Sequence, residues 1–258
     1  MKTQDYNLSN EEFAFFVNRA SEALRGIGIP HAFVGGVAVQ AHTLKRLCNK
    51  YSVDISTLAA SNKHIRFQDY IRSTDDVDIA LLFPDNAADY AMVGDVVGRL
   101  YDSLNGVYLS NNDKHIFEYK LERRGFSRPV FSISVDNVLG KNLSLNISKQ
   151  SRHLRALGLE YYDQFIEEGE TLELTYSPGF NLRLRVYNPT HVLATKISQF
   201  RAKDSMDIVN LEKVLRESGG EINEEELRRI LLPVHTNELA KYNSLTGRDI
   251  DLSYSCNH

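Results

Sequence analysis

Residues 72 to 83, Arg-Ser-Thr-Asp-Asp-Val-Asp-Ile-Ala-Leu-Leu-Phe, set three acids immediately ahead of an apolar run. Ile79 to Phe83 predict a buried strand, whereas an unpaired carboxylate is costly to bury and needs water or a cation. The chain must therefore fold so that the strand's first residues open onto a surface or cleft while the rest crosses the core. On a strand, Asp76 and Asp78 share one face, with Val77 and Ile79 on the other. Two carboxylates so close repel each other, and a divalent cation such as Mg²⁺ relieves the repulsion by taking hard oxygen ligands. Acids that merely cap a strand or its turn show the same spacing, so Asp-x-Asp alone leaves both readings open.

The surrounding pattern is that of a mixed α/β chain. "LSNEEFAFFVNRASEALRGIGIP" predicts a helix opened by Ser9 and Glu12 at capping-box spacing and stopped by Gly26 and Gly28. "HAFV" reads as a short strand that runs into Gly35-Gly36 and an amphipathic helix, "VAVQAHTLKRL". Residues 48 to 70 lack clear periodicity and read as an irregular, lid-like insertion, and Lys63, His64 and Arg66 within it suit solvated surface charge. Beyond the "VDIALLF" strand, Pro84 and Asp85 predict a helix to about Leu104. "HIFEYKLER" and "RPVFSISVDNVLG" suggest a hairpin, and in the second Phe131, Ile133 and Val135 alternate with Ser132, Ser134 and Asp136. A second alternating pair, "TLELTY" and "LRLRVY", flanks "SPGFN". From Asn188 onward the pattern is helical. The expected layout is an α+β core over residues 1–187, its mixed sheet flanked by helices, and a C-terminal helical domain over 188–258.

Composition narrows the partners. With 258 residues and 42% hydrophobic content the chain can bury a sizeable core. A formal charge of −4 gives no footprint for generic nucleic-acid binding, although a local basic face is compatible with it. Two cysteines, Cys48 and Cys256, offer neither a disulfide framework nor zinc-ligand spacing, which fits a reducing cytoplasm. No apolar run approaches the length of a membrane span or a signal core, so a cytoplasmic location with no membrane partner is expected.

Two further features bear on the acids. Gly35-Gly36 stands at a strand end before a helix, where missing Cβ atoms let a phosphate approach the backbone N–H groups, although tight turns use such glycines too. Lys196 emerges beside the apolar face of Val192, Leu193 and Ile197, which suits either a snorkelling lysine or a ligand contact. If one helix ran on to Asp207 the two would lie about 16 Å apart, so a break near Lys203 to Ser205 is needed to bring them together. Asp204 reads as the less favoured of the two acids.

The order strand, Gly-Gly, helix, Asp-x-Asp strand, and strand with a third Asp resembles the nucleotidyltransferase superfamily that includes DNA polymerase β. More narrowly, "FVGGVAVQAH", "RSTDDVDIALLF" and "LATKISQFRAKDSMDIVNL" look like the AbiEii-type (DUF1814) toxin-like nucleotidyltransferases. The resemblance covers about residues 30 to 212. It implies a nucleotidyltransferase core in which Asp76, Asp78 and Asp136 hold Mg²⁺ or Mn²⁺. Gly35, Gly36, Arg72, Thr74 and Lys196 then contact the NTP, and Asp207 orients Lys196 or the acceptor. It also implies transfer of a nucleoside monophosphate to an acceptor, whether RNA such as tRNA, a small molecule such as an aminoglycoside, or a protein, and a cognate antitoxin partner if the chain is a toxin. Two departures stand out: Gly-Gly replaces the Gly-Ser of many members, and the gap from Gly36 to Asp76 is long. An interaction protein that retains the fold without chemistry is the alternative reading, and retention of three acids argues against it.

Overall fold

The computed structural model describes residues 7–61, 69–74, 76–82, 95–96, 98–100, 102, 117–124, 130–137, 142–149 and 162–253, with only the backbone for 117–124, 130–137, 142–149 and 162–163. Among the described residues seven strands form one mixed sheet: β1 (His31–Val34), β2 (Asp76–Leu81), β3 (Phe117–Arg124), β4 (Val130–Asn137), β5 (Asn142–Lys149), β6 (Glu170–Ser177) and β7 (Phe180–Val186). Their order across the sheet is β3-β4-β5-β2-β1-β7-β6. The helices are α1 (Glu11–Ile27), α2 (Gly35–Tyr51), α3 (Ile55–Ala60), α4 (Tyr162–Glu167), α5 (Pro189–Gln199), α6 (Ala202–Glu217), α7 (Glu224–Leu231) and α8 (Thr236–Thr246). The fold is therefore mixed α/β with a helical C-terminal part.

Both hairpin pairs form antiparallel ladders, β3 with β4 and β6 with β7. At the centre, β1 runs antiparallel to β2 and parallel to β7, while β2 runs parallel to β5. The helix after β1 starts at once, Gly35 being the residue that follows Val34. Its φ of +62° turns the chain from strand into helix, a conformation that costs a residue with a Cβ about 1–2 kcal/mol.

Two expectations need correcting. The cap of α1 is Asn10, whose side chain accepts from Phe13 N at 3.0 Å, instead of Ser9. The segment that begins at residue 48 is largely ordered helix as far as Ala60: α2 continues to Tyr51, and Asp54 caps α3 by accepting from Thr57 N at 2.7 Å. The pattern of α2 hides its length because nearly every side is buried, from Gly36 to Leu44 and at Leu47. Lys63, His64 and Arg66 lie outside the described residues. So does most of the helix predicted from Pro84, of which residues 95–96, 98–100 and 102 are helical.

One continuous apolar cluster runs from Leu8 through the sheet to Ile250. Side chains of β2 at Val77, Ile79, Ala80 and Leu81 are buried in it, as are Leu182, Leu184 and Val186 of β7 and Ile208, Leu211 and Leu215 of α6. Position 187 thus lies inside a shared core, with α5 and α6 packed on α2. Polar ties brace α2 as well. Gln40 accepts from Leu8 N and donates to Arg72 O, both at 3.0 Å, and so fixes the chain just before β2. His42 Nε2 lies 2.7 Å from Tyr187 O. Among the described residues no helix is long and apolar enough to cross a membrane.

Candidate active site at the glycine turn

The β1–β2 register sets Asp78 opposite Val34, the residue before the glycine turn. The consequence is a close approach: a Cβ on Gly35 would meet Asp78 Oδ2 at 2.8 Å. Only a glycine leaves room for that carboxylate against the backbone at the start of α2. The helix begins there with no side-chain cap and no acid in its first turn, so its leading N–H groups keep their positive end toward this corner. Asp76, two residues back on the same strand face, is half-buried like Asp78. The Thr74 hydroxyl lies 3.0 Å from both Asp76 Oδ1 and Asp76 O, which ties the carboxylate to its own backbone.

Gly36 serves a different neighbour. A Cβ there would stand 3.0 Å from Thr74 Oγ1 and 3.6 Å from Arg72 Nη2. Arg72 is clamped in place: Nε and Nη2 donate to Asp207 Oδ1 and Oδ2 at 2.7 and 2.8 Å, a bidentate pair, and Nη1 donates to Ser73 O at 3.0 Å. Burial pulls the Arg72 pKa down, but Asp207 prevails and holds it above the ordinary arginine value.

Lys196 and Asp207 meet because the helical run breaks, earlier than the sequence suggests. Phe200 takes a left-handed φ of 41°, ends α5 and donates to Lys196 O at 2.9 Å. The new helix α6 is capped by Arg201, whose backbone N donates to Asp204 Oδ2 at 3.1 Å. This turn folds α6 back onto α5, so that Lys196 Nζ stands 2.6 Å from Asp207 Oδ2 and 3.1 Å from Asp204 Oδ1. Lys196 and both acids are buried. Asp204, the less favoured acid on sequence grounds, is as central as Asp207: Arg201 Nε also reaches its Oδ2 at 2.6 Å. Burial pushes the Asp204 pKa up, yet hydrogen bonds from Arg201 and the charge of Lys196 outweigh it and hold the carboxyl below its ordinary value. Arg201 is a residue that sequence reasoning missed. The signal was present as Arg201-x-x-Asp204, a side chain able to cap the helix from its third residue.

Asp136 stands apart from this group. In the ladder, Asp78 pairs with Asn146 of β5 and Asp76 with Ser144, while Asp136 on β4 pairs with Asn142. Strand β5, which the sequence pattern did not reveal, separates β4 from β2. Position 136 therefore lies two strand spacings, about 9.6 Å, across the sheet from β2 and two residues along the ladder from the row of Asp76.

No family model matches this chain, and no curated protein matches it. Among solved structures, an H. pylori protein that carries a nucleotidyltransferase name aligns over 94% of this chain and 89% of its own, at 14% identity and a TM-score of 0.41. JHP933 from Helicobacter pylori aligns over 94% and 86%, at 13% identity and a TM-score of 0.39. Likenesses this distant leave function to be argued from the residues themselves.

Proposed function

We propose that the chain is a Mg²⁺-dependent nucleotidyltransferase, with Mn²⁺ able to substitute, that moves a nucleoside monophosphate from an NTP to an acceptor hydroxyl or phosphate and releases pyrophosphate. The observation that carries this reading is the seat of the Asp78 carboxylate against Gly35 at the uncapped start of α2, with Asp76 on the same strand face. Paired hard-oxygen ligands beside a helix N-terminus fit a divalent cation and a polyphosphate together. Asp76 and Asp78 would hold the ion, which supplies charge neutralisation to the triphosphate and to the attacking oxygen.

The chain's own residues do the positioning. Gly35 and Gly36 keep the turn free of side chains so that phosphate oxygens can reach backbone N–H groups. Thr74 orients the Asp76 carboxylate through its hydroxyl. Arg72, fixed by Asp207, brings a permanent positive charge to within reach of Gly36. Lys196 stands behind that pair and adds charge on the triphosphate side, while Asp207 orients both cations. Asp136, two strands from β2, takes the acceptor side, where a carboxylate assists removal of the proton from the attacking oxygen. The acceptor is RNA, a tRNA end foremost, or a small molecule or protein, and a toxin role with a cognate antitoxin extends the same reading.

Incubation with each α-labelled NTP, Mg²⁺ and, in turn, total RNA, aminoglycosides or cell protein tests it. Labelled acceptor with wild-type protein and none with Asp78→Asn is the expected result. Absence of transfer to every acceptor class, with Mg²⁺ and with Mn²⁺, would leave the fold-retaining interaction protein as the better account.

A further inference from the structure

Away from the glycine turn, Glu168, His191 and Glu226 converge from three elements. His191 is the third residue of α5, Glu226 the third residue of α7, and Glu168 follows the end of α4. His191 Nε2 lies 2.9 Å from Glu226 Oε1 and 3.6 Å from Glu168 Oε2, and one donor atom from each residue falls within 4.8 Å of the others. Around a tetrahedral ion with bonds of about 2.1 Å, ligand atoms stand about 3.4 Å apart. The trio is thus close to ligand spacing: the His191–Glu226 separation would widen by about half an ångström, and the two carboxylates, within 4.8 Å of each other, would settle to the same spacing.

The imidazole is well placed to be a ligand. Its side chain is fully buried, stacked on the Phe165 ring at 4.0 Å and 16°, with Tyr187 edge-on at 6.4 Å. Among the described residues no group hydrogen-bonds Nδ1, so stacking, instead of an outer hydrogen bond, sets the ring's direction. Only a neutral imidazole, with a lone pair on one ring nitrogen, binds a metal. The Glu168 side chain is 44% exposed and gives an ion a way in, while Glu226 is mostly covered. Arg229 Nη2, 3.7 Å from Glu226 Oε1, supplies the local positive charge that an ion would take over.

We propose that Glu168, His191 and Glu226 form a binding site for a transition-metal dication of the Zn²⁺ class, a clip that fastens α7 to α5 and to the end of α4. One imidazole with two carboxylates favours such an ion over Mg²⁺, which prefers oxygen ligands and several retained waters. Three protein ligands leave a fourth position for water. On binding, Nε2 gives up its hydrogen and Nδ1 takes one, so the ring stays neutral. The clip is separate from the glycine turn and holds whether or not the chain transfers nucleotides.

The test uses the full chain stripped with a chelator, titrated with Zn²⁺ against a chromophoric competitor, and followed by thermal unfolding. We expect one tight Zn²⁺ per chain, a rise in Tm with Zn²⁺ and none with equal Mg²⁺, and at least tenfold weaker binding in both Glu168→Gln and Glu226→Gln. The exposed Glu168 guards against a variant that simply fails to fold. Co²⁺ in place of Zn²⁺ should give the visible absorption of a tetrahedral site in wild type and lose it in Glu168→Gln. Wild-type affinity in Glu168→Gln, an equal Tm rise with Mg²⁺, or no stoichiometric Zn²⁺ binding would each overturn the proposal.

Discussion

Asp204 and Asp207 on α6 and Asp76 and Asp78 on β2 are four carboxylates in one neighbourhood, and they differ in burial: the α6 pair is enclosed while the β2 pair is half-buried. Lys196, Arg72 and Arg201 all hydrogen-bond to the α6 acids, which are buried. The β2 acids are half-buried; Asp76 accepts from the Thr74 hydroxyl, and Asp78 sits against the glycine turn. The charge of Arg201 is felt at both Asp76 and Asp78, but its hydrogen bonds go to Asp204. The contrast teaches that the same residue type can be enclosed in a buried ion network or held half-buried at a strand end, and that burial more than residue type sets which of the two an aspartate becomes.

The largest effect should come from breaking the compensated side. Lys196→Met removes the cation shared by two buried carboxylates; Asp207 keeps Arg72 and Asp204 keeps Arg201, so the cost should lie at the low end for a broken buried pair, about 3 kcal/mol. Urea unfolding checks this. Lys196→Arg should recover part of the loss, since guanidinium keeps the charge but not the shape. A Met variant of wild-type stability would mean that the lysine merely snorkels. NTP use measured at a temperature where the variant stays folded then shows whether Lys196 also serves the triphosphate: an unchanged KM would confine it to the fold.

The opposite behaviour is expected of the β2 pair. Asp76→Ala or Asp78→Ala should reduce nucleotide transfer by about 100-fold, a typical loss for a group that stabilises developing charge. Stability in chelator should be unchanged or higher, because removing one of two like charges relieves repulsion. A variant as unstable as Lys196→Met would erase the distinction between the two regions. Asp136→Ala sharpens it further: from its place two strands away, its loss should slow transfer while NTP affinity in Mg²⁺ stays near wild type.

Gly35→Ala probes the seam of the active corner. The left-handed φ and the 2.8 Å approach to Asp78 Oδ2 together predict a loss of about 1–2 kcal/mol and a fall in transfer, as the carboxylate is pushed off its seat. Gly26→Ala, with nothing near its added Cβ, is the control and should change little.

How much of this the sequence announced follows from range of interaction. Local periodicity revealed β1, β2, both hairpins and the run that becomes α5 and α6, because each depends on its own alternation or helical face. Strand β5 went unread although "NLSLNISK" alternates polar and apolar residues, because Asn and Ser, which favour turns, fill its polar positions, and its place in the sheet depends on neighbours far away in the chain. Its position between β4 and β2 decides how far Asp136 lies from Asp76, so strand order, which no local pattern encodes, governs that part of the site. The Lys196–Asp207 contact was legible only as a condition. It required a helix break, and the residue that makes it, Phe200, carries no glycine or proline to mark the place.

The smallest effect should separate the two regions by pH. Arg201 is half-exposed, so its pair with Asp204 contributes no more than about 1 kcal/mol after solvent screening. Because the folded Asp204 carboxyl lies below its ordinary 3.8, the pair's contribution is present above that pH and lost as pH falls through the lower folded value. In Arg201→Gln the folded value returns toward 3.8 and the same stability is gone at higher pH. His42 adds a separate loss: burial lowers it from 6.5 to about 4, so stability drops as pH falls from about 6.5 toward 4 while the unfolded state takes up its proton. That slope is shared by wild type and variant and cancels in the difference. Urea unfolding from pH 7 to pH 3 should therefore give curves with a constant small offset above about pH 4 and a converging offset below it. An offset that changes between pH 6.5 and 4 would show that Arg201 acts through a histidine, and the independence claimed for the α6 network would be lost.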